Sequence, residues 1–218
     1  FMNKIYDILT PNGIVYIECP DLNSYKKYIH GPFQEFNTEH INHFGINDYE
    51  NLANKNKLKV VTKGTYEISL TSKLSYVSSY CFLNKPKVLI LETITKNESL
   101  KNVMDYISSS KQMLHKFNNW AIKIDQTIFI YGIGQLSYKI IYILEKLRKE
   151  IVLIDGDPNK KGKKIGELEI HDLNYLKDIN EKGILLICSV VSAESIEATL
   201  INEIDAKLII APISNYFI

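Results

Sequence analysis

Ile128-Phe129-Ile130-Tyr131-Gly132-Ile133-Gly134-Gln135-Leu136-Ser137 decides the fold. Four consecutive apolar residues read as a buried strand, and two glycines one residue apart read as a turn. A helical pattern then runs from Tyr138 to Lys149, followed by the apolar strand Ile151 to Ile154 and Asp155. Gly132 permits a tight turn. Gly134 lets the backbone approach a phosphate at the amino end of the helix, where unpaired amides and the helix dipole favour an anion. Ser137 takes the place of the third glycine of a dinucleotide fingerprint and is small enough for helix and strand to pack closely. Asp155 follows about 20 residues later, where a carboxylate can accept hydrogen bonds from ribose hydroxyls. Gly132, Gly134 and Asp155 are therefore candidate cofactor-binding residues for a nucleotide or dinucleotide.

Downstream of this core the pattern predicts a short strand near Glu169-Ile170, a helix capped by Asp172 and a strand from Ile184 to Cys188. A helix from Ala193 to Asn202 and a strand from Leu208 to Ala211 follow. Alternating strands and helices imply a parallel sheet covered on both faces, a Rossmann-like α/β domain over 126–218. Upstream, Leu100, Val103, Met104, Ile107, Leu114, Phe117, Ala121 and Ile124 recur at helical spacing. They predict a long amphipathic connector within 85–125, whose apolar stripe serves packing. Residues 1–84 form the remaining lobe. Within it, Phe1 to Leu9 read as the end of a helix cut through at Phe1. Pro11-Asn12-Gly13 is a turn, and Ile14-Val15-Tyr16-Ile17 is a buried strand that stops at Pro20-Asp21. A short helix capped by Asn47 covers 47–56. Strands follow at Leu58–Thr62 and over Tyr66–Phe82, the latter folded as a hairpin around Thr71-Ser72-Lys73.

The chain has 218 residues, of which 26 are basic and 25 acidic, for a formal charge of +1. So small a charge provides no field to gather a polyanion, and Arg148 is the only arginine, so bidentate forks for phosphates and base edges are nearly missing. Nucleic acid is excluded as an expected partner. Cys19, Cys81 and Cys188 lie apart in apolar surroundings and read as reduced core thiols. No stretch has the roughly 18 uninterrupted apolar residues of a membrane span, and no signal peptide is visible at the amino end. The expectation is a cytoplasmic protein without membrane attachment.

The polar, aromatic-rich segment running to Ile46 contains His30, His40 and His43, with Phe33, Phe36 and Phe44 among them. A loop of this length is commonly functional. In an irregular loop the neighbours Glu39 and His40 can both face a cleft, one as a base and the other orienting it or a substrate hydroxyl. A histidine satisfied by loop carbonyls is the structural alternative. His40 and His43 are three residues apart with no third ligand or cysteine pair nearby, so no metal site is expected.

Three passages together resemble a known family. Leu9-Thr10-Pro11-Asn12-Gly13-Ile14-Val15-Tyr16-Ile17-Glu18-Cys19-Pro20-Asp21 is similar to the passage before and along the fifth strand of class I S-adenosylmethionine-dependent methyltransferases. Glu39-His40-Ile41-Asn42-His43-Phe44-Gly45 is similar to the E-H-x-x-Y-F-S segment of sugar C-methyltransferases. Asp155-Gly156-Asp157-Pro158-Asn159-Lys160-Lys161-Gly162-Lys163 is similar to the D-D-N-P-x-K-x-G turn of that family's Rossmann-like carboxy-terminal domain. Asn37 stands where the family often has tyrosine, and His43 where it is usually aromatic.

The resemblance implies a fold made of an incomplete α/β methyltransferase-like lobe and a complete Rossmann-like domain. It also implies an activity: a base removes the proton next to the keto group of a nucleotide-sugar, and the enolate attacks the sulfonium methyl group. His40 is the implied base, Glu39 holds the sugar or the imidazole, and Asn37 and His43 are substrate-binding positions. S-adenosylmethionine is the implied cofactor of the full-length protein. Its glycine-rich cofactor strand and the family's cysteine-rich zinc module have no counterpart in these residues, so the chain alone is expected to be inactive. Methylation at carbon or at a hydroxyl both remain open. The alternative from another class is a non-catalytic nucleotide- or dinucleotide-binding module.

Overall fold

The computed structural model describes residues 2–38, 40–87, 98–179, 181–204 and 208–217. The chain divides into two compact units, Phe1–Ile29 with Glu35–Ser108, and His30–Gln34 with Ser109–Ile218.

The first unit contains α1 (Met2–Ile8), β1 (Ile14–Pro20), α2 (Asp48–Lys55), β2 (Lys59–Ser69) and β3 (Ser75–Asn84). Its strands lie in the order β1-β3-β2, with β3 antiparallel to both neighbours. Val15, Ile17 and Cys19 point to one face, where Cys81 and Leu83 of β3 pack with Tyr49 and Ala53 of α2. The alternate residues Ile14 and Tyr16 are 62% and 49% exposed. The strand predicted as buried is thus buried on one face only, because α2 covers one side of the sheet. Two separate strands were expected over 58–62 and from 66 onward; they are instead the single β2. A register shift between Val60 and Thr62 reverses the alternation and hides the continuity from sequence. The hairpin falls where expected, with the Thr71 hydroxyl accepting the Lys73 and Leu74 amides. Asn47 precedes α2 but makes no side-chain cap; its amide oxygen instead accepts from Lys63 Nζ at 3.3 Å.

Helix α3 (Ser99–Ile122) begins in the first unit and passes into the second, which continues with β4 (Thr127–Tyr131), α4 (Gln135–Lys146) and β5 (Ile151–Ile154). The remaining elements are β6 (Lys164–Ile165), β7 (Leu168–His171), α5 (Asn174–Lys177), β8 (Gly183–Ile187), α6 (Ala193–Glu203) and β9 (Leu208–Pro212). The sheet runs β6-β7-β5-β4-β8-β9, parallel throughout except for the edge strand β6. This is a Rossmann-like α/β fold. Successive strand residues face opposite sides, as a pleated sheet demands. Ile128 and Ile130 pack with Phe117 and Ala121 of α3 and with Ile140 and Leu144 of α4. Phe129 packs on the other face with Leu176 and Leu200. The chain starts at β4 in the middle of the sheet, builds outward through β5 and β7, then returns to β8 on the other side of β4. The carboxyl ends of β4 and β8 therefore flank the topological switch point, where such sheets bind ligands.

Three boundaries differ from expectation. Helix α4 starts at Gln135 rather than Tyr138, because Ser137 Oγ accepts the Gly134 amide and closes the first turn. It stops at Lys146, and Arg148 two residues on takes a left-handed conformation (φ 54°). The helix predicted after Asp172 is the four-residue α5; the Asp172 carboxylate pairs with Lys161 Nζ at 2.5 Å, and this pair together with the Asn174 and Tyr175 amides of α5's first turn holds its pKa below the ordinary value. Strand β6 is an addition; at two residues it is too short to leave a pattern. Among the described residues no helix is long and apolar enough to cross a membrane.

Candidate functional site

In the first unit the loop after β1 is anchored on aromatic rings. Tyr106 on α3 contacts the rings of Tyr25 and Phe36, both with centroids at 5.3 Å. The Tyr106 hydroxyl also accepts the Glu35 amide at 2.9 Å. His43 lies against Phe36 at 4.9 Å, and its Nδ1 is 3.1 Å from the Tyr25 hydroxyl. Burial lowers the His43 pKa, and the neighbouring His40 lowers it further, while Glu35 opposes the shift. Burial pushes the Tyr25 phenol well above its ordinary range, with Glu35 adding to the effect. His43 is thus held neutral beside a neutral phenol, an arrangement suited to binding uncharged polar groups.

His40 is held at two points. Its backbone amide donates to Asn37 Oδ1 at 2.9 Å, which fixes the Asn37 amide so that Nδ2 faces His40 Nδ1 at 3.4 Å. Glu35 Oε2 stands 3.6 Å from the same Nδ1. Asn37 favours a lone pair on Nδ1, whereas Glu35 favours a proton there, so the two compete to set the tautomer. The loop therefore brings His40, Asn37 and His43 together. Glu39 lies outside the described residues. Glu35 is the acidic residue that sequence reasoning missed, since five residues' separation within an irregular loop follows no periodicity.

In the second unit the glycine turn has the expected place between β4 and α4. Gly132 has φ +89°, a left-handed conformation that excludes most side chains, and it passes close to β8, with Ser189 N 3.7 Å from where a Cβ would stand. Gly134 is different: its backbone is extended, and a Cβ there would meet nothing within 4 Å. Asp155 directly follows β5 and is 8% exposed. Its Oδ2 accepts the Ile133 amide at 2.7 Å and Lys160 Nζ at 2.9 Å, and its Oδ1 accepts the Asp157 amide at 2.8 Å. Burial alone would raise the carboxyl pKa, but Lys160 and the two amides outweigh it and hold the group below its ordinary value. Lys160 Nζ also donates to the Ile133 carbonyl at 2.8 Å. Asp155 is thus the clasp between the glycine turn and the turn after β5, and a ribose hydroxyl has to share oxygens already in use.

The same unit includes the turn 30–34. The Gln34 side-chain carbonyl accepts the His30 and Gly31 amides, and Lys139 Nζ on α4 donates to the Pro32 and Phe33 carbonyls at 3.1 and 3.2 Å. A Cβ on Gly31 would lie 3.5 Å from Val190 and 3.7 Å from Leu136. These two residues follow β8 and the glycine turn, so the 30–34 turn rests at the mouth of the switch point.

The cysteines are free thiols. Burial pushes Cys81 up to about 12 and Cys188 higher still, so neither is a nucleophile at neutral pH. No cluster of three or more histidine, cysteine or acidic side chains among the described residues is placed to hold a metal ion. Neither a protein-family model nor a curated protein sequence matches the chain.

Proposed function

We propose that the chain is the carboxy-terminal portion of an S-adenosylmethionine-dependent methyltransferase acting on a nucleotide-linked sugar, with His40 as general base. One observation carries the reading: the contacts to the His40 ring converge on Nδ1, from Glu35 and Asn37, and among the described residues leave Nε2 for a substrate proton. With its proton on Nδ1 toward Glu35, His40 presents a basic Nε2 to a carbon-bound proton next to a keto group. The neutral Tyr25–His43 pair, one strand of loop away, offers donors and acceptors to sugar hydroxyls. The sheet supports the same reading. The resemblance assigns β1 to the fifth strand of a larger sheet, and among the described residues β1 is paired along one edge only, with β3. Among its described residues the first unit holds no glycine-rich turn after a parallel strand. Its described residues therefore do not fit S-adenosylmethionine, and the chemistry they can carry is proton removal.

The test is methyl transfer by a chain that includes the cofactor-binding half. His40→Ala should lower turnover by roughly 10²–10⁴, the usual contribution of a positioned base, with the fold intact. Unchanged turnover in a folded variant would remove His40 from the mechanism.

A second reading rests on Gly134. A glycine whose missing side chain faces open space, at the amino end of α4 and beside the switch point, is what a phosphate's close approach requires. On this reading the second unit is a nucleotide- or dinucleotide-binding module.

A further inference from the structure

A cavity of about 340 Å³ in the first unit lies against the outer face of α2. Tyr49 and Ala53 turn the other face of that helix into the core, and Asp48, Asn51, Leu52 and Lys55 line the cavity at helical spacing. The stripe has a defined polarity. Asp48 sits at the inner end, where its Oδ2 accepts the Gly45 amide at 2.7 Å and the Ser99 hydroxyl at 2.6 Å. Lys55, about 10 Å along the axis, is exposed and makes no ion pair among the described residues.

Between them lies Asn51. Its Oδ1 is buried and has no hydrogen-bond donor. Exchanging the amide oxygen and nitrogen does not cure this, because neither atom finds a partner among the described residues. A buried carbonyl oxygen of this kind is costly unless something else supplies the missing bond. Leu22, Phe44, Leu100 and Val103 supply apolar walls; of the other polar groups in the lining, Asp48 and Ser99 bond each other and His43 Nδ1 meets the Tyr25 hydroxyl, which leaves the Asn51 amide as the unengaged donor–acceptor pair. A sugar ring, with hydroxyls on every side, would lose more hydration there than it recovers. A planar heterocycle, with one donor–acceptor edge and two apolar faces, matches it, as asparagine matches the edge of adenine.

We propose that this cavity binds a nucleoside monophosphate, the base read by the Asn51 amide and the phosphate directed to Lys55, away from Asp48. The size agrees, since 340 Å³ lies near the small end of the roughly 300–1,000 Å³ range of ligand pockets. The cavity shares His43 with the site above, but the inference rests on Asn51 and Lys55 and stands whether or not His40 moves a proton.

Titration of the 218-residue chain with adenosine monophosphate, by calorimetry and by amide chemical shifts, tests it. Saturable binding is expected, at least tenfold tighter than for ribose 5-phosphate, which lacks the base. Asn51→Leu should weaken it at least tenfold, with circular dichroism confirming the fold. Lys55→Met should reduce adenosine monophosphate to the affinity of adenosine, an arm that decides the matter if Asn51→Leu fails to fold. No saturation at millimolar concentration overturns the proposal, as does ribose 5-phosphate binding equally well. Wild-type affinity in folded Asn51→Leu, or an undiminished advantage over adenosine in Lys55→Met, overturns it too.

Discussion

Asp155→Ala should cost the second unit about 3 kcal/mol and reduce its acid sensitivity. The carboxylate accepts the Ile133 amide, the Asp157 amide and the Lys160 ammonium while 8% exposed. Its removal strands the buried Ile133 amide, worth about 1–3 kcal/mol when left unsatisfied, and the half-buried Asp157 amide, worth about 1 kcal/mol. Breaking a fully buried ion pair costs about 3–5 kcal/mol, but the Lys160 side chain is 36% exposed and rehydrates, which discounts that share heavily. In a unit of about 100 residues each kcal/mol moves the melting temperature by about 4–8 °C, so a fall of roughly 12–24 °C is expected. The pH dependence has a definite sign. The folded carboxyl titrates below its ordinary value, so its stabilisation is complete above the unfolded pKa, near 3.9, and fades as pH falls through the folded one. Thermal melts by circular dichroism at pH 7 and pH 3 check both points: wild type should lose stability at pH 3 and the variant should lose less. A variant melting within about 3 °C of wild type at pH 7, or showing the same acid loss, would refute the clasp.

Gly134→Val should leave the melting temperature unchanged or slightly higher, because the backbone is already extended and the space is open, yet it should abolish any nucleotide-induced thermal shift. A shift equal to wild type's would dissociate Gly134 from phosphate binding. Tyr106→Phe should destabilise the first unit by about 1–2 kcal/mol by stranding the Glu35 amide, as a denaturant melt would show; an unchanged midpoint would count against that bond. In a chain competent for methyl transfer, Glu35→Gln should lower turnover by about tenfold to a hundredfold, less than loss of the base itself. Turnover equal to wild type's would show that Glu35 does not orient His40.

The second unit was legible because its signals are local. A buried parallel strand is a run of apolar residues, a turn with positive φ calls for glycine, and both fall within the ten residues 128–137. The first unit was legible only in part. Its sheet is covered on one face, so Ile14 and Tyr16 read as core residues though both are exposed, and the bulge between Val60 and Thr62 broke one strand into two apparent ones. Sheet order was beyond a sequence reading in both units, because pairing depends on contacts far apart along the chain.

The sites differ in the same way, and the difference bears on function. Gly132, Gly134, Asp155 and His40 all stand in the turns and loop where the sequence placed them. What the sequence concealed was their engagement. Asp155 looks from its position like a ribose acceptor, yet its oxygens tie the glycine turn to Lys160. His40 looks like half of a pair with Glu39, yet a second carboxylate, Glu35, reaches its Nδ1 from the far side of a loop turn. The 30–34 turn looks like part of the histidine loop, yet Lys139 ties it to the Rossmann-like sheet's first helix. Each concealed contact joins groups with no periodic relation in the sequence, and such contacts decide whether a motif is available to a ligand. An occupied Asp155 beside an open Gly134 means that any nucleotide in the switch point is held chiefly by backbone amides at its phosphate. Affinity there should consequently depend on phosphate more than on ribose, and replacing ribose by 2′-deoxyribose in the ligand should matter little.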